Sequence, residues 1–270
     1  MTPSLAFSVF TYVLALGFGI FALSYYLGKR KPVLRSLGLT FNRWLPIDVV
    51  IGLAITFVAI GLVFVVEMFL GAVSVQPGTL TWASFANEVL VPLLGAAALE
   101  ELLFRVLLLS GVAIVLSRLR HGRWIAVLAT AALFGAGHLG NDGATLVSAF
   151  GTGLGGVIYA VAFLTTRSVW LPFGLHLGWN MSQGLFGFPI SGHVVPGWFS
   201  STSSGPEILN GGAYGPEGGI PGMLARVLII ALVFVYVKKR WPTGSIATLR
   251  FAPDPEKQSR ARRQAAARPA

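Results

Sequence analysis

The sequence predicts an all-α fold, a polytopic membrane bundle of about seven transmembrane helices. Composition is the first reason: 54% of the 270 residues are hydrophobic and 11% charged, more apolar surface than one soluble core can hide. The second is the recurrence of apolar runs near the 20 residues that a bilayer demands. The third is where the basic residues fall between those runs.

The runs extend roughly from Leu5 to Leu27, Ile47 to Leu70, Phe85 to Leu116, Trp124 to Leu139, Ala144 to Thr165, Val169 to Phe188 and Gly222 to Val237. The fourth is short and the third overlong. The first begins without a basic leader, so it is expected to stay as a helix rather than be cleaved. Alternate connections carry the positive charge: Lys29, Arg30, Lys31, Arg35 and Arg43 in the first, Arg118, Arg120 and Arg123 in the third, Arg167 in the fifth, and nine from Lys238 onward. That places 18 of the 20 basic residues on one side, with Arg105 and Arg226 inside spans. Cytoplasmic loops retain Lys and Arg, so the N-terminus is expected outside and the C-terminus in the cytoplasm. The Ala, Gly and Arg-rich composition suggests a bacterial plasma membrane.

Two segments lie outside the runs. Pro189 to Pro221, rich in Gly, Ser and Pro, reads as a flexible connection on the outer face, with a lid as the alternative. Residues 241–270 read as a disordered, basic cytoplasmic tail attracted to anionic lipid, leaving residues 1–240 as the membrane domain. The net charge of +10 is thereby explained by membrane orientation, and no nucleic-acid partner is expected. With no cysteine, a disulfide framework, a thiol nucleophile and a thiolate metal site are excluded. Gly151 to Gly156, GTGLGG, lies within an apolar run, where small residues permit close helix packing rather than phosphate binding.

Charge inside an apolar helix costs several kcal/mol per group by insertion scales, roughly, and persists where it pairs or works. The third run holds Glu100, Glu101 and Arg105. Glu101 and Arg105, four apart with the acid first, suit an ion pair that supports the site. Glu100 lies about 140° round the helix from Arg105 and needs another partner. His138 in the fourth run and His176 in the sixth are the apolar-segment histidines available to it. Phe134 lies one turn below His138, and Asn180 one turn beyond His176 on the same face. Glu67, Glu88, His121 and His193 are assigned no role, the last two as solvated loop residues.

A carboxylate in an apolar site suits the role of general base for water. Glu100 fits that role, with His138 holding the same water and His176 and Asn180 donating to an oxyanion. Glu100, His138 and His176 also match a catalytic zinc ligand set, so metal-bound and metal-free water both stay open. Counting about 1.5 Å per residue from the basic ends puts His176 about 10 Å deep and Glu100 and His138 roughly 20 Å deep; with helix tilt or projecting turns closing that gap, the shared site is expected in the cytoplasmic half.

The ordered set E-E-x-x-x-R, F-x-x-x-H and H-x-x-x-N, carried by Glu100 to Arg105, Phe134 to His138 and His176 to Asn180, resembles the CPBP intramembrane protease family. That family includes the CAAX prenyl endopeptidases of eukaryotes and bacterial relatives linked to bacteriocin processing or self-immunity. The resemblance covers roughly residues 99–180. It implies water activation by Glu100 and His138, oxyanion stabilisation by His176 and Asn180, and support from Glu101 and Arg105. It also implies membrane lipid surroundings and a peptide or membrane-associated protein substrate, without deciding whether prenylation is required. Two other classes stand beside it: a non-catalytic membrane immunity or scaffold protein, and a proton-coupled transporter using the buried Glu and His as a relay.

Overall fold

The computed structural model of the chain describes residues 3–240 and is mostly helical. The expectation of a disordered tail at 241–270 lies outside the described residues. α1 (Pro3–Gly28) is followed by the short α2 (Val33–Ser36), α3 (Trp44–Phe69) and strand β1 (Val73–Pro77). An uninterrupted helical run then covers residues 82–118. It comprises α4 (Trp82–Phe85), a π turn (Ala86–Leu90), α5 (Val91–Glu101), a π segment (Leu102–Leu109), α6 (Ser110–Val115) and a final 3-10 turn (Leu116–Arg118). α7 (Gly122–Gly137), α8 (Leu146–Thr166), α9 (Trp170–Leu185), β2 (Phe199–Ser203), α10 (Glu207–Asn210) and α11 (Ile220–Arg240) complete the order.

Each of the seven apolar runs is helical. Four stretches are long and apolar enough to cross a membrane by length and composition: Val9–Gly28, Trp44–Phe69, Leu146–Thr166 and Ile220–Arg240. α7 and α9 have 16 residues each, and π geometry interrupts the third run, so this measure supports four of the seven expected spans. Residues such as Val13, Ile20, Val50, Val58, Val65, Leu128 and Leu224 point large apolar side chains outward. In water that belt would be unfavourable; facing lipid tails it is expected.

Helices in lipid associate through close packing rather than hydrophobic exclusion, so small residues decide which pairs touch. α3 and α9 make the most intimate pair in the bundle. A Cβ on Gly52 would fall 2.5 Å from the Leu175 nitrogen, and one on Gly174 would fall 2.6 Å from the Val49 carbonyl oxygen. Gly174→Val is therefore expected to cost at least the roughly 1–3 kcal/mol of ordinary overpacking. It should lower the unfolding temperature in detergent, and an unchanged transition would contradict this packing. The glycines of 151–156 behave as anticipated, meeting backbone or side chains from α7, α11 and the 3-10 turn Pro216–Gly218.

The connections sort onto two faces. On one, β1 pairs antiparallel with β2, matching Val75 to Ser201. The Asn210 amide donates to the Ala72 carbonyl, and the Asn141 amide donates to the Ser191 carbonyl. On the other, the Trp170 indole and the Val169 amide donate to the carbonyls of Thr40 and Gly38, while Arg240 pairs with Asp48.

The connection between α9 and α11 is not the loose loop that its composition suggested. It contains β2, α10 and two 3-10 turns (Gly212–Tyr214 and Pro216–Gly218), and it buries Asn210, Tyr214 and Glu217. Gly211, Gly212 and Gly215 adopt positive φ, a left-handed region closed to most residues, so the glycines that read as looseness permit tight turning instead. Burial pushes the Tyr214 phenol up to about 12. It stays protonated at physiological pH and shares a 2.8 Å hydrogen bond with Thr152 Oγ1 in α8.

Candidate active site

The helix carrying Glu100 changes geometry directly after Glu101. Residues Leu102–Leu109 form a π segment, and Ser110 Oγ, just beyond it, donates to the Arg105 carbonyl at 3.2 Å. Such widened turns are frequent at functional sites because they re-aim side chains. Arg105 still reaches Glu101, Nη1 to Oε1 at 3.2 Å, with both side chains buried. Its guanidinium lies over the rings of Phe134 at 4.6 Å and Tyr159 at 4.9 Å. Neutralised and enclosed by aromatic faces, this cation is tolerable at depth.

Glu101 has a second partner. Its Oε1 accepts from Nδ1 of His176 at 2.9 Å. The carboxylate thus holds an imidazole as well as the Arg105 guanidinium. Tyr159 stacks on the other side of His176, centroids 4.7 Å apart and planes 14° from parallel. The ring is fixed along its plane by a charge and across it by an aromatic face.

His138 is fixed differently. α7 ends at Gly137, and His138 forms its C-cap. Its Nδ1 sits 2.8 Å from the Phe134 carbonyl oxygen, one of the last-turn acceptors that a helix end leaves unpaired. A carbonyl only accepts, so the proton of a neutral His138 is on Nδ1 and the Nε2 lone pair is free. Phe134 packs 4.9 Å from this ring and 5.8 Å edge-on to His176.

Both free nitrogens face one atom. Glu100 Oε2 lies 4.0 Å from His138 Nε2 and 3.7 Å from His176 Nε2. It is buried without a hydrogen-bond partner among the described residues. Three acceptors converge with no donor between them, which a buried site does not sustain unless something supplies hydrogens or positive charge. A water oxygen about 2.8 Å from Glu100 Oε2 and either nitrogen would subtend about 83–91°, and it brings two donors. A zinc ion about 2.05 Å from the same atoms would need an angle of about 130–155° instead of the tetrahedral value. Among the described residues no group of three or more His, Asp or Glu side chains is arranged to hold a metal. The trio Glu100, His138 and His176 therefore fits a water better than the zinc that the sequence left open.

These residues line a cavity of about 480 Å³ together with Asn180, Phe134 and Tyr159. Asn180 lies one turn from His176, so its amide and the His176 imidazole are offered from the same side of α9. The remaining wall comes from residues to which the sequence reading gave no role. Glu217 Oε1 accepts from Arg226 Nη2 at 2.7 Å and from Trp179 Nε1 at 3.0 Å, and its Oε2 accepts from Ser191 Oγ at 2.6 Å. Arg226 also donates to the Gly151 carbonyl and lies over the Trp179 ring. Ser191 holds a positive φ of 47° between this hydrogen bond and the one from Asn141. The cap over the cavity is thus anchored by a buried ion pair. His193 stands exposed at its rim, and His121 is exposed in the basic turn before α7.

The site is not in the half nearer the basic connections. His138 ends α7 at the far end from Arg118 to Arg123, and Asn141, Ser191, His193 and Glu217 line the same cavity. The start of α9 is covered by other parts of the chain: Thr166, Ser168 and Val169 are buried, and the Val169 amide donates to the Gly38 carbonyl, so counting from that start is a poor guide to depth.

Residues 82–182 match the family described as Rce1-like, Type II CAAX prenyl endopeptidase Rce1-like. The chain carries an Rce1-like segment of the CPBP/CAAX protease family. The matched segment runs from α4 into α9 and contains Glu100, Glu101, Arg105, Phe134, His138, His176 and Asn180, while the Glu217 cap lies beyond it. Comparisons with curated proteins and with solved structures gave no match. Together with the four helices long and apolar enough to cross a membrane, this match supports a CAAX-protease-like integral membrane protein.

Proposed function

We propose that the chain is an intramembrane endopeptidase in which Glu100 and His138 activate a water. The observation that carries this reading is the approach of the unpartnered Glu100 Oε2 to two imidazole nitrogens at 4.0 and 3.7 Å, spans that one water can bridge. The water donates one hydrogen to Glu100 and one to His138, which leaves its lone pair for the scissile carbonyl. As the tetrahedral oxyanion forms, Asn180 donates from its amide. His176 donates from Nε2 only when doubly protonated, because its Nδ1 proton is committed to Glu101. The proton that Glu100 takes from water is held 3.7 Å from that nitrogen, and Glu100 then delivers it to the leaving amine.

The same reading takes all seven apolar helices as crossings, in a bacterial plasma membrane, with the C-terminus in the cytoplasm. It requires an accessible peptide bond near the bilayer and does not require prenylation. The test is cleavage of a fluorogenic peptide, prenylated and unprenylated, by the purified protein in liposomes. Turnover that survives complete chelation is expected, and stoichiometric loss of metal and activity together would overturn the metal-free water. An immunity or scaffold protein would show no turnover at all. A proton-coupled transporter would instead show substrate-dependent proton uptake that Glu100→Gln removes.

A further inference from the structure

The two faces of the bundle differ in charge as well as in connectivity. The connections at 29–43, 116–123 and 166–169 and the end of α11 carry twelve Lys and Arg residues within the described chain. Those at 70–81, 139–145 and 186–219 carry none, and instead hold Asp142, Glu207 and Glu217. The cavity belongs to the second face. Its rim and cap are Asn141, Ile190, Ser191, His193, Val195 and Glu217. Toward the basic face it is closed by a packed apolar layer including Val106, Leu109, Ala113, Val127, Val161 and Phe163, each at most 4% exposed.

Positive connections are retained in the cytoplasm. We propose that the active site opens to the extracytoplasmic side and takes as substrate an uncharged, apolar polypeptide segment presented from outside or from the outer leaflet. This rests on the endopeptidase reading for its chemistry but not for its direction. Part of the lining suits that substrate class: Leu93, Ile190 and Val195 are apolar, and Arg226 has its charge matched by Glu217. Along one side, Thr11 and Tyr12 of α1 face Pro92 and Ala96 of α5, so the wall of the cavity is also a wall toward lipid. A prenylated C-terminus on the cytoplasmic leaflet would meet the sealed face.

The absence of cysteine makes the test clean. Val194→Cys, 81% exposed on the rim face, and Leu119→Cys, 54% exposed in the basic turn, are treated in spheroplasts with a membrane-impermeant maleimide. Ile208→Cys and Lys29→Cys form a second pair should either variant fail to fold. Labelling of 194 and 208 before lysis, and of 119 and 29 only after it, is expected; the reverse pattern overturns the proposal. In parallel, an impermeant quenched apolar peptide is added outside spheroplasts carrying wild type or Glu100→Gln. External cleavage by wild type alone supports the substrate side. Cleavage confined to inverted vesicles overturns the direction while leaving the protease standing. Outward labelling without cleavage in either orientation overturns the protease reading, and with it the substrate claim, while the direction stands.

Discussion

Glu100→Gln is expected to lower peptide turnover by about two to four orders of magnitude, the range of a lost general base. The substitution keeps size and shape and removes the anion. An amide at this position donates toward one imidazole nitrogen and no longer accepts a proton from water. Glu100 is 31% exposed along its side chain and pairs with neither Arg105 nor any helix cap, so the fold should not notice the change. The assay is single-turnover cleavage beside thermal unfolding of the same preparation. Loss of activity with an unchanged transition is predicted. Retained activity would remove Glu100 from the chemistry.

Glu217→Ala is expected to be the most destabilising single change, by about 3–5 kcal/mol, because it strands a buried cation. Arg226 is 2% exposed and would lose its ion-pair partner, while Trp179 and Ser191 would lose their acceptor. Removing both charges together, in Glu217→Ala with Arg226→Met, should recover a large part of the loss, since the penalty comes from the unpaired charge. Unfolding in detergent measures both variants. A Glu217→Ala protein as stable as wild type would mean that the cap is not anchored by this pair. The cap lies outside the family match, so its loss should affect stability and access before it affects the chemical step.

The helices were legible because lipid-facing stretches must be uniformly apolar, and that signal survives without any alignment. The Glu101–Arg105 pair and the approach of both histidines to Glu100 followed from spacing and from the cost of lone charges at depth. Tyr159 was illegible: an aromatic residue in an apolar, Gly-rich helix looks like packing, and nothing local shows that it stacks on His176. The π segment after Glu101 was equally silent, because LLFRVLLL reads as ordinary helix. Arg226 did carry a signal, a cation inside an apolar run, and the demand for a partner that exposed Glu100 would have led to Glu217. The Gly-rich setting of Glu217 masked it, since glycines mark loose loops and tight turns alike. Depth was misjudged because sequence gives helix lengths but not how far each helix end is sunk in the bundle.

The central claim is that Glu100 and His138 act on one shared water. A double-mutant cycle tests it most directly, comparing turnover in Glu100→Gln, His138→Ala and the combined variant. Groups that work as a unit are grossly non-additive, so the combined variant is predicted to fall within a few-fold of the slower single variant. If the two losses instead multiply, the residues act independently and the shared water is contradicted.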